Sequence, residues 1–148
     1  MNRLAVLTAI VAAALFANIS IAQAEPLQSQ MGLNGEMEAD VLKAKVDGEV
    51  LTVTIAFRST SEAKSQVEFK WSDVYFINKA QDKKYHVLKD SKGTWVASQV
   101  YYGGVRQTIP AGKKKLVWFK MPAPPAGDDA INLTLPVAMP FDGLRISR

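Results

Sequence analysis

Along Leu51-Thr-Val-Thr-Ile-Ala-Phe57 the apolar side chains at 51, 53, 55 and 57 alternate with Thr52, Thr54 and Ala56. A period of two predicts a strand with one face in a core and the other nearer water. Its β-branched residues suit a pleated surface. Asp47-Gly48 just before it is a strong hairpin signal. If those two residues make the turn, Val46 opposes Glu49, Ala44 opposes Leu51 and Leu42 opposes Val53. Opposed residues share a face, so both strands turn their apolar sets the same way. The hairpin 38–46/49–58 is the expected centre of an all-β core.

The rest of the chain repeats this grammar. Residues 25–36 are polar with little periodicity and read as a loose arm. Val67, Phe69 and Trp71 alternate, and 73–78 is apolar on both parities, as in a strand covered on both sides or carrying an aromatic outer face. After the charged loop 79–84, short strands are expected at 85–89 and 94–97, split by the turn Asp90-Ser-Lys-Gly93. Val100-Tyr-Tyr-Gly-Gly104 reads as an exposed loop or bulged strand end, and 105–109 as an edge strand. Leu116–Met121 is a strand stopped by Pro122-Ala-Pro-Pro125. Ile131, Leu133 and Leu135 mark another, and Phe141–Ile146 the last. Seven or eight strands, short turns and no helix predict an antiparallel immunoglobulin-like β-sandwich, with a small closed barrel as the second choice.

The N-terminus departs from this pattern. Arg3 precedes an apolar run from Leu4 to Ile21, and Ala22-Gln23-Ala24 places small residues where a signal peptidase reads. The expected organisation is a signal peptide at 1–24, an arm at 25–37 and a sandwich at 38–148. Export to the periplasm or beyond follows, with no stable membrane insertion after cleavage. The formal net charge of +4 is mild. It favours solubility rather than nucleic-acid binding. Cysteine is absent from all 148 residues, which excludes lipoprotein anchoring, disulfides, thiolate zinc or copper sites, c-type haem attachment and cysteine nucleophiles.

Several segments carry a resemblance. Tyr85-x-Val-Leu-x-Asp90-x-x-Gly93-x-Trp95, Pro110-x-Gly112, Val117-Trp-Phe-Lys-Met-Pro-Ala-Pro-Pro125 and Pro140-Phe141 resemble a group of bacterial secreted immunoglobulin-like domains. That group is similar to the sandwich of the mycobacterial immunoprotective extracellular antigen. The likeness spans about residues 38–146 and implies an exported sandwich. It rests on turns, strand ends and core aromatics, so it transfers no catalytic residues.

Chemistry is sparse. His86 is the single histidine, lies mid-strand, and has neither a nucleophile-elbow motif nor further ligands around it. Most aspartates fall in turns, where Asp bonds its own backbone. Asp128-Asp129 lacks EF-hand spacing. Lys113–Lys115 reads first as an edge guard and second as an attraction for anionic polymers or headgroups. Asn132-Leu-Thr134 matches a glycosylation sequon inside a strand and carries no weight.

The aromatics are more informative. Trp71 or Trp118 is expected at the sandwich centre. Tyr101 and Tyr102 point opposite ways if extended, so at least one ring is expected outside. The candidate partner-binding set is therefore Trp95, Tyr101, Tyr102 and Arg106, with no catalytic residue, metal or cofactor. The expected function is a non-enzymatic binding or interaction module of the bacterial envelope, its partner an envelope or extracellular protein. A glycan or small-ligand module using the exposed aromatics is the alternative, and a hydrolase comes last.

Overall fold

The central hairpin forms, with a different turn. In the computed structural model, β2 (Met37–Asp47) and β3 (Val50–Ser59) pair antiparallel with Val46 opposite Leu51 and Ala44 opposite Val53. The loop is Gly48-Glu49, not Asp47-Gly48. Gly48 has φ +60°, as the first central position of a II′ turn requires. Asp47 thus stays in the strand, and the expected opposition of Val46 to Glu49 is corrected by two residues. A register shift at Leu42 then changes the parity of β2. Val46 and Ala44 face the core on one side of this bulge, and Val41, Ala39 and Met37 on the other. Leu42, expected inside, is left half-buried.

The structure describes residues 24–78, 80–98 and 101–148. Residues 1–23 of the expected leader, Lys79 of the charged loop and Val100 beside the tyrosine pair lie outside the described residues. Within those described, β1 (Gln28–Met31) pairs on β2, so the stretch read as a loose arm contributes a strand. The others are β4 (Ser65–Lys70), β5 (Tyr75–Asn78), β6 (Lys83–His86), β7 (Gly104–Ile109), β8 (Lys114–Pro122), β9 (Ala130–Thr134) and β10 (Phe141–Arg145). Ten strands stand among the described residues where seven or eight were expected. The only helical element there is a 3₁₀ turn at Trp71–Asp73. No helix among the described residues is long and apolar enough to cross a membrane.

The strands build two four-stranded antiparallel sheets, β1-β2-β3-β8 and β10-β9-β5-β6, and a two-stranded ribbon, β4-β7. The sheets are open, which sets aside the closed barrel. One core receives side chains from all three, including Val53, Ile55 and Phe119 from the first, Phe76, Leu133 and Phe141 from the second, and Val67 and Ile109 from the ribbon. Trp71, fully buried, lies at its aromatic centre, with ring centroids 5.1 Å from Phe69 and 5.3 Å from Phe119. Trp118 is on the other parity of β8 and points outward, 41% exposed. The expected strand at 94–97 is instead an irregular cover for the β8 edge. Lys120 N–H donates to Val96 O at 3.0 Å, and Ser98 N–H to Trp118 O at 2.8 Å. Burial of these apolar faces supplies most of the favourable free energy of such a fold.

Candidate functional site

The tyrosine pair immediately precedes β7 of the ribbon. Tyr101 and Gly104 exchange both backbone hydrogen bonds at 3.0 Å, leaving Tyr102-Gly103 as a two-residue loop. Tyr102 has φ +47° and Gly103 φ +78°, the two positive values of a I′ turn. Glycine adopts that geometry at no steric cost, whereas a side chain there costs about 1–2 kcal/mol. Tyr102 is held in it with 87% of its surface exposed, and Tyr101 is 52% exposed. The rings meet edge to face, centroids 4.5 Å apart. Both phenols are therefore displayed, where at least one was expected to be.

Pairing of β7 with β4 completes the surface. Arg106 lies opposite Glu68 in the ribbon. Their side chains form an ion pair at 3.1 Å, and the guanidinium stands 5.9 Å from the Tyr101 ring centre. The hydrogen bond and charge of Glu68, joined by Tyr101, raise the Arg106 pKa above its ordinary value. The group is a cation throughout the accessible range. Glu68, Lys70, Asp73, Tyr101, Tyr102 and Arg106 line an open groove of about 500 Å³ floored by Phe69, Gly104 and Val105. Trp95 approaches the tip from elsewhere: its indole Nε1 would lie 3.6 Å from a methyl placed on Gly103. It does not line the groove, and Lys89 Nζ stands 4.2 Å over its ring. So Tyr101, Tyr102 and Arg106 come together, while Trp95 buttresses the turn behind them.

Glu68 and Lys70 were absent from the expected set. The alternation Val67-Glu-Phe-Lys70 places both on the outer face of their strand. No local signal says that this strand pairs with residues 104–109.

The remaining candidates have structural partners. His86 is exposed on β6 beside the Tyr75 ring. Asp90 Oδ1 accepts from the backbone N–H of Lys92 and Thr94. Asp128 accepts from Asn78 Nδ2. Among the described residues no three His, Asp or Glu side chains gather as a metal site would need. Chemically, the groove offers two phenol hydroxyls, aromatic edges and a guanidinium–carboxylate pair, a set suited to recognition.

Fold and surface together define an all-β, sandwich-like protein with an aromatic turn leading into its two-stranded ribbon. No family model, curated protein or solved structure matches the chain.

Proposed function

We propose that the protein is an exported, non-enzymatic binding module of the immunoglobulin-like class, working in the bacterial envelope or outside the cell, with the Tyr101–Tyr102 tip as its contact for another protein. One observation carries this reading: Tyr102, almost wholly exposed, occupies a backbone conformation that glycine or asparagine would fill at lower cost. A large ring in that place is explained by what it touches outside the chain. Tyrosine and arginine are the residue types that anchor interfaces, and Arg106 stands beside the neighbouring Tyr101 ring. The apolar leader pattern supports the location.

The test is capture of partners from an envelope extract by the wild-type protein and by Tyr101→Ala and Tyr102→Ala. Loss of one discrete partner in both variants supports the tip. Capture indifferent to both removes it.

Trp95 against the back of the turn favours a second reading, a glycan or small-ligand module. It predicts a change in tryptophan emission on titration with cell-wall fragments, and a flat response across a glycan panel ends it. A hydrolase is less supported, because Glu68, one acid of the groove, is already engaged by Arg106.

A further inference from the structure

The outer face of the first sheet is a separate surface whose register orders its side chains in rows. Lys45, Thr52 and Lys120 form one row, and Lys43, Thr54 and Trp118 the next. Asp40, Ala56 and Leu116 follow, then Glu38, Arg58 and Lys114. Trp118 at 41% and Leu116 at 55% exposure make an apolar stretch along the edge strand β8. Lys120 lies two residues from Trp118 on β8, and Lys43 and Lys45 stand on β2 across Thr54 and Thr52; among the described residues none of the three is in an ion pair. The acids lie toward the ends. Glu38 and Asp40 are held by Arg58 at 2.7 and 3.5 Å, and Asp47 sits by the hairpin loop.

We propose that this face docks on an anionic lipid surface, with Trp118 and Leu116 at headgroup depth and Lys43, Lys45 and Lys120 on the lipid phosphates. The inference goes beyond the tip's role and does not depend on it. Tryptophan combines a large apolar ring with one N–H donor, which suits the boundary between acyl chain and water. Lysine stems lie along apolar surface while their ammonium groups stay in water with the phosphates. A soluble polyanion would satisfy the lysines but leave Leu116 and Trp118 uncovered, so lipid fits both halves of the patch. Beside it, Ala24, Glu25 and Pro26 line a groove with Leu42 and Ala56.

The experiment is co-sedimentation and tryptophan emission with vesicles of phosphatidylglycerol and phosphatidylcholine in equal parts, against phosphatidylcholine alone, using the protein as purified after export. Binding is expected to the anionic vesicles only, with a blue shift. It should weaken as salt rises from about 0.1 M to about 1 M, where the screening length falls from about 10 to about 3 Å. Trp118→Ser should abolish the shift and reduce affinity about tenfold. Lys43→Gln with Lys120→Gln should reduce it about 30-fold. Lys92→Gln, in the exposed turn of residues 90–93, should leave binding unchanged. Failure to bind anionic vesicles, or binding indifferent to the Trp118 and lysine changes, overturns the proposal. So does equal affinity for dextran sulfate that survives Trp118→Ser, which would mark a polyanion contact instead.

Discussion

Gly104 lies so close to Phe69 across the β4–β7 ribbon that a methyl group in its place would come to 2.0 Å from the Phe69 carbonyl oxygen and 2.9 Å from the Lys70 Cα. Both obstacles are backbone, so neither can rotate away. The two strands approach this closely only because residue 104 has no side chain, and the turn carrying Tyr101 and Tyr102 begins at that point.

Gly104→Ala should therefore destabilise the protein by about 1–3 kcal/mol or more, as overpacking does, and disturb the tip. Gly93→Ala is the control. Its Cβ would meet nothing within 4 Å, and the cost is that of φ +81° alone, about 1 kcal/mol. Urea unfolding midpoints of the two variants, compared at constant slope, measure the difference. Equal shifts would contradict the close approach.

Trp71 and Trp118 should differ sharply when truncated. Trp71→Ala empties the centre of the Phe57, Phe69 and Phe119 cluster and should cost about 3–5 kcal/mol. Trp118→Ala removes a ring from the outer face and should cost about 0.5 kcal/mol or less. Thermal denaturation of both variants decides it. A larger loss at Trp118 would mean that β8 has the opposite facing.

Tyr102→Gly relieves a positive φ and should raise stability by about 1 kcal/mol, offset in part by the freer unfolded chain of glycine. The same change should remove partner capture. A gain in melting temperature with loss of binding is the pattern of a residue kept for contact. A fall in melting temperature would show that the ring serves the fold.

Arg106 bears on pH dependence. Glu68 raises its pKa above the ordinary arginine value, so any stability from the pair is present below the unfolded value and is lost only as pH rises through the still higher folded value. Both lie above the range in which proteins are handled. Removing the guanidinium with Arg106→Met should therefore leave the shape of the stability–pH curve between about pH 5 and 9 unchanged. Fully exposed pairs contribute little, so Glu68→Gln should barely move the unfolding midpoint. Chemical denaturation across that range checks both. A slope that changes in either variant would mean that the pair is coupled to a group titrating there.

Much of the scaffold was legible from residue order. The alternation at 51–57, the turn residues at 90–93 and the proline stop after β8 act over two to six residues and need no distant partner. The all-β class follows from them. The tip's membership was half-legible: Tyr101, Tyr102 and Arg106 are near in sequence, and the Gly103-Gly104 pair marks a tight backbone. Glu68 was not, because its place depends on a pairing between strands separated by two others.

Residue order by itself thus determined the all-β class and the longer strands, since side-chain period and backbone preference are local forces, but it missed β1 and took the irregular 94–97 for a strand. Tertiary structure alone decided the rest. It placed the bulge at Leu42, chose Trp71 over Trp118 for the interior, and brought Glu68 to Arg106 and Trp95 to Gly103. Those choices rest on close packing between segments far apart in the chain. There the favoured register is the one that fills the core and satisfies the backbone at once, and no short stretch contains both sides of that balance.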